Sequence, residues 1–110
     1  MNNNLEAILV KHILTLSSQA CMFANMNYSA INVNKIFNKV VELENVLDES
    51  NAFGVSGGIW YDNNIKRVIA MLDDLDNIST NKGTGSSEAF SHAAELSELV
   101  EKLQARYNFN

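Results

Sequence analysis

Three separate stretches of this chain carry apolar residues at alternating steps of three and four, and no proline interrupts any of them. From Ser29 to about Glu49 the repeat is Val33, Ile36, Val40, Leu43 and Leu47, widened by Phe37 and Val46. From near Asp62 to Ile78 it is Ile65, Val68, Leu72 and Leu75. From Ser87 to about Tyr107 it is Ala89, Ala93, Leu96, Val100, Leu103 and Tyr107. This spacing gathers each set on one face of an α-helix, whereas a strand would scatter it over both faces. A helix with such a stripe must bury it against another element, so three matching seams predict helices packed on one another.

A fourth stretch, Leu5 to about Met26, has Leu5, Leu9, His12 or Ile13, Leu16, Ala20 and Phe23 at helical spacing. Ile8, Val10 and Leu14 make it apolar on nearly every side, as suits the most buried helix of a bundle. Asn25 and Asn27 are candidate terminators, and Ser29 is a candidate N-cap for the next helix. At 1.5 Å per residue, such helices are about 25–30 Å long and well matched. The connections Ser50–Gly58 and Ser79–Ser86 are short enough to join antiparallel neighbours. The predicted fold is all-α, an antiparallel four-helix bundle forming one domain over residues 1–110. A small β-hairpin near residues 53–61 is the alternative for the first connection, pairing Phe53–Val55 with Ile59–Tyr61 around Ser56-Gly57-Gly58.

Composition narrows the function classes. Asp and Glu total 13 against 8 Lys and Arg, a net charge of −5, which argues against coating nucleic acid by charge. The single cysteine, Cys21, excludes an intramolecular disulfide framework and fits a reducing compartment. The amino-terminal apolar stretch has no basic flank, and Lys11-His12 lies in its middle, so it reads as a core helix and not a signal peptide. No run reaches the ~18 uninterrupted apolar residues of a membrane span. The expectation is a soluble, cytoplasmic protein without membrane contact. Sixteen asparagines and no proline are what AT-rich coding DNA yields, which hints at a bacterial or mobile-element source.

The charges are ordered. The second segment begins with Lys35 and Lys39 and ends with Glu42, Glu44, Asp48 and Glu49. The third begins with Lys66 and Arg67 and ends with Asp73, Asp74 and Asp76. Both run against the helix dipole, at some tenths of a kcal/mol per charge. Two readings follow. Antiparallel neighbours would pair each basic end with the other's acidic end, or the acidic residues form a patch kept for a basic partner.

Several motifs have the form of a chemical site, and each has a simpler structural role. Gly54-Val55-Ser56-Gly57-Gly58 has the G-x-S-x-G form, with Asp62 or Asp73 and then His92 downstream. A nucleophile elbow needs a strand–turn–helix in a sizeable sheet, and helices flank this one. Lys82-Gly83-Thr84-Gly85-Ser86-Ser87 opens a helix but lacks the phosphate-loop order, so it reads as a connector. Glu88, His92 and Glu95 share a helical face as a single His-x-x-Glu copy, which falls short of a metal site. No metal and no cofactor is expected. Met22, Phe23, Met26 and Tyr28 follow one helix, while Phe53, Ile59, Trp60 and Tyr61 crowd the first glycine loop. These aromatic residues serve either as core packing or as an anchor carried on the loop.

The reading that follows is a non-enzymatic, protein-binding protein with docking residues Asp73, Asp74, Asp76, Glu42, Glu44 and Trp60. Its most concrete form is a bacterial immunity protein or antitoxin neutralising a basic toxin domain such as a nuclease, or a phage-borne inhibitor working the same way. A secretion chaperone or assembly adaptor that binds through an apolar groove is the alternative. Direct nucleic-acid binding is not expected, and a homo-oligomer is left open.

Overall fold

All four predicted segments are helices in the computed structural model, which describes residues 3–52 and 58–109. They are α1 (Asn3–Ala24), α2 (Ala30–Ala52), α3 (Asn63–Asn81) and α4 (Ser87–Arg106), with a 3-10 turn at Ile59–Tyr61 before α3. Two starts are capped by side chains. Asp62 accepts from the Asn64 N–H at 2.8 Å, and Ser86 accepts from the Ala89 N–H at 3.2 Å. Ser29 occupies the predicted cap position of α2, but only its backbone carbonyl serves there, accepting from Asn32 and Val33. Its hydroxyl turns back toward the Asn27 carbonyl instead.

The helices pack as a bundle in which α1 lies between α2 and α4, and α3 lies between the same two on the other side. At one end the Gly85 N–H donates to the Ala24 carbonyl at 2.7 Å, and the Ser29 N–H donates to Thr84 Oγ1 at 3.0 Å. The finish of α1, the start of α2 and the α3–α4 connection therefore meet there. At the other end Arg106 bonds Asp62 at 2.9 Å and the Trp60 N–H reaches Glu6, joining the start of α1, the start of α3 and the finish of α4. Successive helices run antiparallel. One apolar cluster fed by all four fills the interior.

The seams of α3 and α4 are those the spacing predicts: Ile65, Val68, Leu72 and Leu75 are buried, as are Ala89, Ala93, Leu96, Val100 and Leu103. In α2, Val33, Val40 and Leu47 are buried and Ile36 and Leu43 pack against their flank. Helix α1 departs from expectation. Its buried face is Glu6, Val10, Ile13, Leu14, Ser17, Ala20, Cys21 and Ala24, while Leu9, Leu16 and Phe23 are only partly buried. Leu5, Ile8 and Met22 are exposed, so α1 is not enclosed on all sides. By length and composition Leu5–Ala24 is apolar enough to cross a membrane. In this fold its outward positions include Lys11, His12, Thr15, Ser18 and Gln19.

The hairpin is not formed. Ile59–Tyr61 closes a 3-10 turn in which the Tyr61 N–H donates to Gly58 and the Asp62 N–H to Ile59, while the Trp60 N–H goes to a carboxylate. These donors are spent and cannot form a strand ladder. Phe53–Val55, the other proposed strand, lies outside the described residues.

Candidate protein-docking surface

The structure divides the six predicted docking residues into three environments. Asp73 and Asp74 are exposed on α3, and neither has an ion pair or hydrogen bond among the described residues. As consecutive helical residues they project about 100° apart, so they form a broad acidic edge and not a tight pair. Asp76 belongs elsewhere. It is 7% exposed, turned toward α2, and one carboxylate oxygen accepts from Asn34 Nδ2 at 3.1 Å. Its other oxygen and the Ser79 hydroxyl, one turn on, are buried without a partner among the described residues. A carboxylate so enclosed cannot meet a docking protein, and Asp76 is withdrawn from the set.

Glu42 is exposed but leans on Lys39 of its own helix at 3.4 Å. Glu44 is half-buried; burial pushes its carboxyl above the usual range, the Asp48 charge adds to this, and Lys66 opposes it. Lys66 starts α3, and Glu44 and Asp48 lie toward the end of α2, so basic start meets acidic finish at this end of the bundle. At the opposite end no ion pair links Lys35 or Lys39 to Asp73, Asp74 or Asp76 among the described residues. Charge pairing between α2 and α3 thus explains one half of the reversed pattern and leaves Asp73 and Asp74 unused.

Trp60 is also corrected. It is 1% exposed, one of the largest fully buried side chains, and offers no surface to a partner. Its backbone N–H donates to Glu6 Oε1 at 2.5 Å, its indole N–H donates to Asp48 Oδ1 at 2.9 Å, and Lys66 Nζ stands 5.0 Å from the ring centroid. Glu6 is 4% exposed. A side chain at Gly58 would collide with its carboxylate, so glycine is needed there for space. Sequence reasoning missed Glu6 and Asp48. The available signal was position: Glu6 lies in register with Val10, Ile13 and Ser17, on the seam of the most apolar helix.

The remaining motifs resolve into structural roles. Ser56 lies outside the described residues. His92 Nε2 is 3.1 Å from the Met71 carbonyl, whereas Asp62 is held by Arg106 and Tyr107, so these two triad candidates are separately engaged. Burial alone would raise the Asp62 carboxyl, but hydrogen bonds from Tyr107, the Asn64 backbone and Arg106 outweigh it and hold the group below its usual range. Tyr107 is raised in turn, by burial first and then by Asp62. Glu88, His92 and Glu95 line one shallow cleft with Ile78, Ser87 and Ser91, yet no metal-ligating group of three forms among the described residues. Gly83 and Gly85 adopt φ of +94° and +78°, and the loop between α3 and α4 spends its Gly85 N–H on the end of α1. Cys21 is buried, which pushes its thiol up to about 12.

No family model matches the chain, and no curated protein or solved structure shows significant similarity to it.

Proposed function

We propose that this chain is a non-enzymatic, protein-binding protein, an immunity protein or antitoxin that acts in the bacterial cytoplasm by covering a basic toxin domain such as a nuclease. A phage-borne inhibitor is the same proposal with a different owner. The supporting observation is that Asp73 and Asp74 stand exposed on α3 and unpaired among the described residues, while Asp48, Asp62 and Asp76 are each tied to a partner within the fold. Domains that cleave nucleic acid carry positive clefts, and a small anionic body is steered into such a cleft by long-range attraction. Glu42 contributes to the same field from the rim, weakened by Lys39.

A second reading, an adaptor that binds through an apolar groove, draws on the hollow lined by Ala7, Ile8, Lys11 and Phe109, where Ile8 is exposed. Ionic strength separates the two. Association steered by charge slows sharply between low and high salt, whereas docking into an apolar hollow barely changes.

A further inference from the structure

We propose that the cleft between the start of α2 and the finish of α3 binds a free α-amino acid, with its carboxylate held by α2 and its ammonium by α3. These helices are antiparallel, so a positive dipole end and a negative one lie side by side at this end of the bundle. The start of α2 retains donors. The Asn32 and Val33 N–H groups go to the Ser29 carbonyl, while those of Ala30 and Ile31 have no partner among the described residues. The Ser29 hydroxyl turns back to the Asn27 carbonyl and caps neither. The finish of α3 retains acceptors. The Ile78 carbonyl receives the Lys82 N–H, whereas the Ser79, Thr80 and Asn81 carbonyls accept no bond among the described residues. No acidic residue occupies the first turn of α2, and no basic residue the last turn of α3.

A cleft of about 440 Å³ opens between these two ends, lined by Ala30 from α2, by Ser79 and Thr80 from α3, and by Tyr28, Gly83 and Thr84 from the connections. Ser79 is the independent sign of a ligand. It is 1% exposed, and its hydroxyl has no partner among the described residues although the residue borders the cleft. One turn deeper, Asp76 carries a carboxylate oxygen in the same condition. An ammonium beside Ser79 gives the hydroxyl a donor and lies in the field of Asp76. On the opposite wall Thr84 Oγ1 accepts from the Ser29 N–H, which leaves its own proton to donate to a carboxylate.

Both poles select the occupant. A bare anion would face the free α3 carbonyls and the Asp76 charge. A bare cation would face the α2 donors and Lys82, which is exposed at the end of α3 without an ion pair among the described residues. A zwitterion satisfies both. The roughly 8–10 Å between packed helix axes is spanned by an α-amino acid with one hydrogen bond of about 2.9 Å at each end. The ligand's side chain has room, because no heavy atom lies within 4 Å of a side chain placed at Gly83. The Tyr28 ring, 99% exposed, offers an apolar wall to an aliphatic group. This site does not depend on the acidic edge of α3.

The test is a titration of the full, isotope-labelled chain with L-leucine, read from amide chemical shifts. Saturable shifts are expected at Ile31, Gly83 and Thr84, with a dissociation constant of roughly 0.1–1 mM. Two fragments separate the poles: 4-methylpentanoate lacks the ammonium and 3-methylbutylamine lacks the carboxylate, and each is expected to bind at least tenfold more weakly. Ser79→Ala removes a hydroxyl that stabilises nothing in the free fold, so its unfolding midpoint should equal or exceed that of wild type while leucine binding weakens at least fivefold. Ala30→Pro deletes one donor at a first helical position that tolerates proline, and should weaken binding at least tenfold with the helix intact. The absence of shifts at these amides up to about 10 mM leucine overturns the proposal. So does equal binding of either fragment or of inorganic phosphate, which would mark a site for one charge only, and so does Ser79→Ala binding leucine as wild type does.

Discussion

Glu6 and Trp60 lie 54 residues apart in sequence and are joined by one 2.5 Å hydrogen bond, from the buried backbone N–H of the tryptophan to the carboxylate. This contact fixes the 3-10 turn to α1 at the end of the bundle where the connection from α2 returns to the core. Asp48 holds the same residue from α2 through the indole N–H, and Lys66 holds it from α3. Trp60 is therefore a structural junction of three helices.

Replacing Glu6 by Ala leaves the Trp60 N–H buried and unpaired, at a cost of about 1–3 kcal/mol. Glu6→Gln keeps an acceptor oxygen and should cost less. Trp60 is the only tryptophan, so urea unfolding followed by its fluorescence measures both variants directly. Equal stability of Glu6→Ala and wild type would remove the junction.

Neighbouring carboxylates on α3 should respond oppositely to charge reversal. Asp73→Lys and Asp74→Lys alter exposed positions and should shift stability by no more than about 0.5 kcal/mol. Asp76→Lys buries an unpaired ammonium beside Asn34 and should cost roughly 3 kcal/mol or more. Thermal unfolding of the three variants is the check.

Acid sensitivity follows from two shifts of opposite sign. Asp62 has a lowered native carboxyl, so the unfolded chain takes up its proton first. The stability it contributes is present above the ordinary carboxylate range and is lost as pH falls through the native value. Asp62→Asn should flatten that acid limb. Glu44 is raised by burial, so its charged form burdens the folded state at neutral pH. Glu44→Gln should be more stable than wild type at pH 7, and the advantage should shrink as pH falls through the raised native value and be gone below the unfolded glutamate value of about 4.3. Denaturation midpoints against pH separate the two.

Cys21, with its thiol pushed up to about 12, should resist a disulfide reagent in the native state near pH 8 and react at the rate of unfolding. Rapid native labelling would contradict its burial.

The difference between what was legible in sequence and what was not has a physical cause in each case. Helices α3 and α4 alternate charged and apolar residues sharply, so the predicted seam positions within them are all buried, but the buried face of α3 is wider and also takes in Ile69, Asp76 and Ser79. Helix α1 is apolar on several sides, and periodicity cannot say which side turns inward. The buried face passes through Glu6 and Ser17, one serving Trp60 and the other bonding the Ile13 carbonyl, instead of through Leu5 and Leu16. Among the site residues, Asp73, Asp74 and Asp76 look alike in one dimension. Only their angles around the helix axis, and the place of Asn34 on α2, separate two exposed carboxylates from an enclosed one. Trp60 beside glycines reads as either core or anchor, and the decision depends on a carboxylate 54 residues away.

The acidic edge of α3 is most directly tested by an association rate. The protein partner retained by the intact chain in its native cell would be purified, and its binding timed by stopped flow at low salt against wild type and against Asp73→Lys/Asp74→Lys. The prediction is an association rate at least several-fold slower for the double variant, with thermal stability unchanged and the difference closing at high salt. An identical rate for both proteins at low salt would contradict it.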